Sequence, residues 1–239
     1  MESKNIFAAV LAGGVGTRMG NVDKPKQFLN IAAKPIIIHT IEKFVINSRF
    51  EAIIVLTPKQ WVNNTKDLVK KYIPAAKNVF VIEGGASRSD TIMNAIEYIE
   101  NNYRLDEETV IVTHDSVRPF VSHRIIEENI DATLEYGACD TVIPATDTII
   151  RSDDNTFIND VPPRKVMYQG QTPQSFRAKK LKEHYNSLSE DEKEQLTDAC
   201  KIFVLKGEKV ALVDGEISNM KVTYPYDLKV AEALLGGNE

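Results

Sequence analysis

Short apolar runs alternate along the chain with longer segments in which apolar residues recur every three or four positions. The short runs are rich in β-branched residues and predict strands, whereas the longer segments predict amphipathic helices. The predicted strands are NIFAAVL (5–11), EAIIVL (51–56), NVFVIE (78–83) and ETVIVTHD (108–115). This alternation is typical of a mostly parallel sheet with helices on both faces, so we expect a Rossmann-like α/β fold.

Three predicted helices follow these strands, at residues 58–73, 87–103 and 122–137. The second begins with Ser and Asp, Ser122 is a candidate N-cap of the third, and Gly137 is a candidate stop. Near the end of the chain the pattern predicts a helix at 177–188, a strand at 209–215 and a last helix at 224–235, where Pro225 suits the first turn.

The segment from Asp147 to Lys165, DTIIRSDDNTFINDVPPRK, does not follow this pattern. It predicts two short strands around a polar turn at 152–155, followed by a double proline, and it has too few apolar residues for a core of its own. We therefore expect a single domain over residues 1–239 from which residues 147–165 project as a β-arm.

Composition narrows the function classes. The 239 residues carry a net charge of −5, which argues against a protein that holds nucleic acid through a general positive field. We see no signal peptide and no apolar run long enough to span a bilayer, so we expect a cytoplasmic protein without membrane insertion. Neither the two cysteines, Cys139 and Cys200, nor the four histidines show the spacing of a metal site.

A glycine-rich loop, LAGGVGTRMG (11–20), follows the first predicted strand. Met19 stands where a dinucleotide fingerprint needs its third glycine, and no lysine follows Gly20 as a P-loop requires. What remains is a glycine turn at the carboxyl end of a strand, where open α/β sheets bind ligands and backbone N–H groups can face an anion. Together with Arg18, Lys24 and Lys26, this loop indicates a strongly charged ligand.

The loop and the KPKQFL (24–29) after it resemble those of nucleotidyltransferases. Five later motifs narrow the resemblance: EGGASRSDTI (83–92), HDSVRP (114–119), QTPQSF (171–176), TDA (197–199) and NMKVT (219–223). They occur in the same order as in the cytidylyltransferases that act on polyol phosphates, and the resemblance covers nearly the whole chain. It implies a nucleotide-diphospho-sugar transferase fold, with CTP and a polyol phosphate as substrates and Mg²⁺ as cofactor.

Two subfamilies fit this resemblance, and they differ in the acceptor. The enzymes acting on methylerythritol phosphate, in isoprenoid synthesis, usually carry an acidic residue after the TD pair and alanine after HD. This chain has Ala199 and Ser116 at those positions, and its MYQGQTPQSF (167–176) is more similar to the ribitol-phosphate enzymes. We therefore expect transfer of CMP to D-ribitol 5-phosphate, for wall teichoic acid synthesis, with the methylerythritol phosphate reaction as the alternative.

The resemblance also assigns roles to residues. Arg18 and Lys26 would stabilise the transition state, and Arg164 and Lys221 would position the acceptor phosphate. The residues assigned to CTP are Leu11, Ala12, Gly13, Gly14, Gly85, Ala86, Ser87, Arg88, Ser89, Asp90, Thr91 and Ser116. The other residues assigned to the acceptor are Asp115, Arg118, Thr148, Thr172 and Thr197. Ser87 and Ser89 could also simply cap a helix, and Asp115 could face the metal, contact a ribose hydroxyl or cap a turn.

The chemistry is consistent with a site that lacks a Ser/His/Asp constellation. A phosphate monoester has a second pKa of about 6, so the attacking oxygen is already largely ionised at neutral pH and needs no general base. The obstacle is charge repulsion, which fixed cations and a divalent metal relieve. We expect Mg²⁺ to be bound mainly through the CTP phosphates, and the sequence identifies no set of protein ligands for it.

In the family the arm reaches a second subunit, so the resemblance implies a homodimer in which Thr148 and Arg164 complete the partner's site. Alternatively, the arm could fold back on its own domain. Two other functions compete with catalysis by a cytidylyltransferase. A non-catalytic nucleotide-sugar sensor is disfavoured because Arg18 and Lys26 are both present, and an NAD-binding oxidoreductase is disfavoured by the failed glycine spacing.

Overall fold

The computed structural model describes residues 5–14, 19 and 24–236, and these residues form an α/β fold around one large sheet. The strands are β1 (Ile6–Leu11), β2 (Asn30–Ile31), β3 (Lys34–Pro35), β4 (Ala52–Thr57), β5 (Val79–Glu83), β6 (Val110–Asp115), β7 (Ala138–Pro144), β8 (Tyr168–Arg177) and β9 (Ala211–Asp214). The helices are α1 (Ile36–Val45), α2 (Val62–Tyr72), α3 (Arg88–Asn102), α4 (His123–Tyr136), α5 (Ala178–Asn186), α6 (Glu190–Glu194), α7 (Cys200–Leu205) and α8 (Pro225–Gly236).

The order of the strands explains where the sheet can bind a ligand. Across the described chain the large sheet runs β5-β4-β1-β6-β8-β7-β9, and β5, β4, β1 and β6 are mutually parallel. From β1 the chain moves outward through β4 to β5 and then crosses to β6 on the other side of β1. The carboxyl ends of β1 and β6 therefore flank the point at which the strand order reverses, which is where open α/β sheets bind ligands.

Helices cover both faces of the sheet, as the sequence predicts. Alternate residues of β1 point to opposite faces, so Ala8 and Val10 pack with α1, α2 and α4 while Phe7 and Ala9 pack with α3, α5 and α7. All six residues of β1 are buried, as expected for a parallel strand covered on both sides. The fold class predicted from the sequence is confirmed.

The predicted helix ends agree with the structure at the two helices next to the site. Ser87 is the N-cap of α3 and forms a reciprocal capping box with Asp90, and the Ser122 hydroxyl accepts a hydrogen bond from Ile125 N. Gly137 ends α4 in the left-handed conformation that favours glycine. The helix predicted from residue 58 begins later, at Val62, because residues 59–61 form a 3₁₀ turn.

The segment predicted as a β-arm connects the neighbouring antiparallel strands β7 and β8. Its two predicted strands are reduced to one bridge, between Arg151 and Asp160, so the prediction of a two-stranded hairpin was wrong. The turn is longer than predicted because Asp154 Oδ1 accepts hydrogen bonds from Thr156 N and Phe157 N, which curls the chain before a second strand can pair. Nearly all residues from 146 to 166 are exposed.

No helix in the described parts of the chain is both long enough and apolar enough to cross a membrane.

Candidate active site

A cavity of about 380 Å³ opens at the reversal point of the sheet, within the size range of small-molecule sites. The end of β1, the 3₁₀ turn at 26–28, the loop after β5 and the end of β6 form its walls. The lining residues are Leu11, Gly13, Gly14, Lys26, Gln27, Gly85, Ala86, Ser87, Arg88, Thr91, Asp115, Ser116, Val117 and Lys221. Five motifs that are separate in the sequence thus meet in one place, since Lys221 of NMKVT also lines the cavity.

The 3₁₀ turn holds the first cation of the cavity. Lys26 is only 7% exposed, which is a rare degree of burial for a lysine. The neighbouring Gln27 donates a hydrogen bond through Nε2 to Ala12 O at 2.7 Å, which ties this turn to the glycine loop. Phe28 stacks on Trp61 with ring centroids 4.7 Å apart, so the turn is anchored in the core.

The loop after β5 is held in one shape by its own hydrogen bonds. Thr91 Oγ1 accepts from Gly85 N at 3.0 Å and donates to Ser87 O at 2.8 Å. A Cβ atom at Gly85 would lie 2.4 Å from Asp90 Cβ, so only glycine allows the chain to approach the start of α3 this closely. Both functions considered for Ser87 therefore coexist, because it caps α3 and also lines the cavity.

Asp115, at the end of β6, lies among three cations. Lys221 Nζ is 2.9 Å from Asp115 Oδ2, Arg118 Nε is 3.7 Å from the same oxygen, and Arg88 Nη2 is 3.5 Å from Oδ1. Burial alone would raise the pKa of Asp115, but these cations outweigh it and lower the pKa below its ordinary value. The carboxylate is thus ionised at neutral pH, and the cluster keeps a formal charge of +2, which suits a polyphosphate.

Five predicted site residues lie beside or beneath the cavity rather than among the residues that line it. Thr172 is buried and its hydroxyl accepts from Asp115 N at 3.1 Å. Arg118 donates through Nη1 to Asn219 O at 2.8 Å, and Ala12 O accepts from Gln27. Asp90 caps α3 and accepts a hydrogen bond from Tyr185, while Ser89 is buried at the start of that helix.

Three predicted acceptor residues are not brought to the cavity. Thr148, Arg164 and Thr197 are all exposed and absent from its lining, and Arg164 Nη1 donates to Thr146 O at 3.0 Å within the arm region. Their contacts with an acceptor remain predictions. Arg18, the other predicted stabilising cation, lies outside the described residues.

Comparison with known proteins decides which family combines this fold with these motifs. The family described as IspD, 2-C-methyl-D-erythritol 4-phosphate cytidylyltransferase, matches residues 6–237 of the chain. The chain belongs to this family. Its match extends from β1 through the arm to α8, so it includes every lining residue of the cavity.

Solved structures of the family share the fold over almost the whole chain. A 4-diphosphocytidyl-2C-methyl-D-erythritol synthase from Anaerococcus prevotii DSM 20548 is 26% identical with a TM-score of 0.79, covering 96% of this chain and 95% of that one. The 2-C-methyl-D-erythritol 4-phosphate cytidylyltransferase from Thermus thermophilus is 25% identical with a TM-score of 0.70, covering 96% and 97%. The enzyme from Francisella tularensis, 24% identical over 95% and 98% of the two chains with a TM-score of 0.79, supports the fold alone.

Membership of the family confirms the predicted reaction class: the chain is a cytidylyltransferase, and hence a nucleotidyltransferase. The predicted cofactor can be tested against the donors present. Asp115 is the single carboxylate among the described residues that line the cavity, and three cations already surround it. This donor set fits Mg²⁺ held mainly through substrate phosphates, as expected for an ion that usually binds few protein ligands at such sites.

A second group of possible ligands fits magnesium poorly. Asp140, Asp198 and the Cys200 thiol lie within 4.8 Å of one another, outside the cavity lining. Gln174 Nε2 donates to both carboxylates, and burial raises the pKa of Cys200, so the thiol stays protonated. Mg²⁺ prefers oxygen ligands, and we assign no metal to this group.

Sequence reasoning missed two residues of the cavity, Gln27 and Val117. Gln27 stands directly beside the predicted Lys26, but its function is a hydrogen bond to a residue 15 positions away, which no local pattern reveals. Val117 is an apolar wall residue next to Ser116 and carries no chemical signal of its own. A neutral amide inside a motif with two lysines was the only indication for Gln27.

Proposed function

We propose that this cytidylyltransferase transfers CMP from CTP to a polyol phosphate, with 2-C-methyl-D-erythritol 4-phosphate as the first candidate acceptor. The observation that supports this acceptor most is the family match over residues 6–237. CTP would lie along the glycine loop after β1, with its base towards the loop after β5 and its phosphates towards the cations around Asp115. The N–H groups of Gly13 and Gly14 lie at the same end of the sheet and would bind phosphate oxygens, whereas Ala12 N already donates to Leu56 O at 2.7 Å.

The reaction needs no general base in this site. An acceptor phosphate oxygen, already ionised, attacks the α-phosphorus of CTP and forms a new P–O bond, while the bond to the β-phosphate breaks and pyrophosphate leaves with the electron pair. Lys26, Arg88 and Lys221 would stabilise the developing charge. Lys26 is buried, Arg88 is half-buried, and Lys221 is exposed but is held by Asp115 at 2.9 Å. When bound, Mg²⁺ would be held mainly through the substrate phosphates near Asp115 and would supply positive charge that offsets the charge on the leaving group.

D-ribitol 5-phosphate is the second candidate acceptor, although the family match gives more support to methylerythritol phosphate. Ser116 and Ala199 favour ribitol 5-phosphate, since both depart from the residues usual in the methylerythritol enzymes. Ser116 lines the cavity, and Ala199 is buried at the start of α7 beside Asp198. The two acceptors carry the same phosphate and differ in the polyol, so discrimination should appear in kcat/KM.

A pyrophosphate-release assay with both acceptors tests the proposal. The protein is incubated with Mg²⁺, each acceptor phosphate and either CTP, UTP or ATP, and Lys26→Ala is the control for a contaminating activity. We expect turnover with CTP and a higher kcat/KM for methylerythritol phosphate. A higher kcat/KM for ribitol 5-phosphate would show that ribitol 5-phosphate is the acceptor and would leave the reaction class unchanged. Turnover with neither acceptor would overturn the proposal.

We also propose that the working unit is a homodimer in which the arm of each protomer completes the acceptor side of its partner's site. Apolar side chains in the arm are unusually exposed: Phe157 is 71%, Ile158 63% and Ile150 56% exposed. Surfaces of this kind mark interaction sites. Thr148 and Arg164 lie in the same segment and would enter the partner's site with it.

A further inference from the structure

Beneath the cavity lies a buried histidine that the reaction scheme does not use. His114 is on β6, fully buried, immediately before Asp115, and its ring packs against Phe44 with centroids 5.2 Å apart. Its ring does not line the cavity, so it cannot act on a substrate directly. Both of its ring nitrogens have partners: Nδ1 lies 3.0 Å from Thr172 Oγ1 and Nε2 lies 3.1 Å from Arg118 O.

These contacts fix the direction of every hydrogen bond. The carbonyl of Arg118 can only accept, so the proton is on Nε2 and Nδ1 is the acceptor of the neutral ring. The Thr172 hydroxyl therefore donates to Nδ1, and its oxygen accepts from Asp115 N at 3.1 Å. Arg118 N in turn donates to Asp115 O at 3.1 Å, which closes the turn. The result is a closed chain of bonds around the segment 115–118.

A neutral ring also agrees with its surroundings. Burial lowers the pKa of His114 to about 4, with opposing contributions from the Arg118 carbonyl and Asp115 and further lowering by the Arg118 and Arg88 cations. Thr172 faces the ring from β8, Val10 is its register partner on β1, and Phe44 of α1 packs on it; none of these adds a charge. A single tautomer thus persists at neutral pH.

We propose that His114 and Thr172 act as a pair of positioning residues that hold the backbone of Asp115 and Arg118, and through it the cation cluster on which catalysis depends. Asp115 anchors Lys221 at 2.9 Å and attracts Arg88, so a shift of this turn displaces cations on which phosphate charge would develop. The inference rests on cytidylyl transfer, not on the choice of acceptor. It also gives the Thr172 hydroxyl a structural partner on each side.

Isosteric variants test this pair, and β6 supplies a matched control. Thr172→Val removes the hydroxyl at nearly constant volume, and Thr172→Ser retains it. Thr113→Val makes the same change in a buried threonine of β6 whose hydroxyl donates instead to Gln174 O, at 2.9 Å. We expect Thr172→Val and His114→Phe to lower kcat about tenfold with the Kd for CTP within about threefold, whereas Thr172→Ser and Thr113→Val keep more than about half of the activity.

Two further measurements separate positioning from general destabilisation. The double variant should be about as slow as either single variant, because both residues act in one chain of bonds. Amide hydrogen exchange of Asp115 N–H should accelerate in Thr172→Val and stay unchanged in Thr113→Val. The exchange result does not require turnover, so it stands even if neither acceptor phosphate is a substrate. Unchanged exchange at Asp115 in Thr172→Val, or equal loss of kcat in Thr172→Ser and Thr172→Val, would overturn the proposal.

Discussion

In the cavity, Lys26 and Asp115 are each less than one-tenth exposed, and the Asp115 carboxylate pairs with cations from α3 and from two loops. In the arm, by contrast, Phe157 is 71% exposed and the Arg164 side chain donates to the nearby Thr146 carbonyl. The described lining of the cavity comes from the ends of β1 and β6, the 3₁₀ turn at 26–28, the loop after β5 and Lys221. The predicted acceptor residues Thr148 and Arg164 remain outside it.

This contrast separates two requirements of the reaction. Stabilising charge on the transferring group needs cations fixed before the substrates arrive, and in our proposal Lys26 and the cations around Asp115 provide them. Selecting an acceptor needs groups that meet the polyol and its phosphate, and in our proposal part of those groups stand on an exposed segment. The comparison therefore predicts that substitutions in the cavity lower kcat, and that substitutions in the arm raise the KM for the acceptor.

The largest effect is expected from the cavity side. Lys26→Ala should lower kcat by about 10²–10³, the loss expected when one preorganised stabilising group is removed from an active site. Steady-state kinetics with saturating CTP measures this. Lys24→Ala, two residues away, exposed and absent from the cavity lining, is the matched control and should be nearly normal. Turnover close to that of the unmodified protein in folded Lys26→Ala would show that this lysine does not stabilise the transition state.

On the arm side, Arg164→Ala should raise the KM for the acceptor by about 10–100-fold, because a hydrogen bond to a charged group contributes about 1.5–3 kcal/mol. The Kd for CTP, measured by calorimetry, should change by less than about twofold. Arg151→Ala is the control, since Arg151 pairs with Asp153 inside the same arm. A defect in CTP binding as large as the defect in acceptor use would erase the distinction between the two regions.

A smaller effect is expected where the loop after β5 approaches α3. Gly85→Ala introduces a Cβ only 2.4 Å from Asp90 Cβ, so the loop must move away from the helix, and we expect about a tenfold weaker Kd for CTP. Gly170→Ala is the control, because its Cβ would meet the nearest atom at an ordinary 3.7 Å. Equal CTP affinity in the two variants would mean that the shape of this loop does not matter for the nucleotide.

The smallest effect on catalysis is expected from Asp140→Asn. Asp140 does not line the cavity, so this variant tests the stability of the fold. Burial, reinforced by Asp198, raises the pKa of Asp140 from 3.8 to about 6. Between these values the folded state binds more protons than the unfolded state, so stability falls as pH rises through this window. Removing the charge should raise the free energy of unfolding by about 1–2 kcal/mol at a pH of about 7.5 and change it little near a pH of about 4. The asparagine keeps the hydrogen bond that Asp140 accepts from Gln174.

Denaturant unfolding of Asp140→Asn at the two pH values measures this difference. Asp67→Asn, an exposed residue on α2, is the control and should show no pH-dependent gain. If Asp140→Asn changed the free energy of unfolding by the same amount at both pH values, ionisation of Asp140 would not be what lowers the stability of the protein.

The nucleotide side was largely predictable from sequence because its signals are local. The glycines after β1, the N-cap Ser87 of α3 and Asp115 at the end of β6 each have a short-range reason to be where they are, and the structure brings them together at the cavity as expected. Local signals did not predict which residues line the cavity and which are buried behind its lining. Thr172 was assigned to the acceptor, yet its hydroxyl bonds to Asp115 N and His114, 57 and 58 positions away.

The strands β7 and β8 and the arm between them were harder to predict for a physical reason. Strand β8 reads YQGQTPQSFR, with neither alternation nor β-branched enrichment. Its polar side chains at Thr172, Gln174 and Ser175 are buried because they find partners on β6, β7 and α4, respectively. The arm has the opposite difficulty. Its turn residues were evident, but the Asp154 carboxylate accepts hydrogen bonds from the backbone of the turn, and only one bridge remains of the two predicted strands.

A mixing experiment tests most directly whether the arm serves the partner's site. Lys26→Ala and Arg164→Ala protomers, each strongly impaired alone, are mixed in equal amounts and allowed to exchange, and exchange is verified with two distinguishable tags. About half of the dimers should then be mixed, and each would carry one site with both an intact cavity and an intact arm, giving about a quarter of the unmodified activity. Activity no higher than the mean of the two separate variants, after verified exchange, would show that each arm serves its own chain.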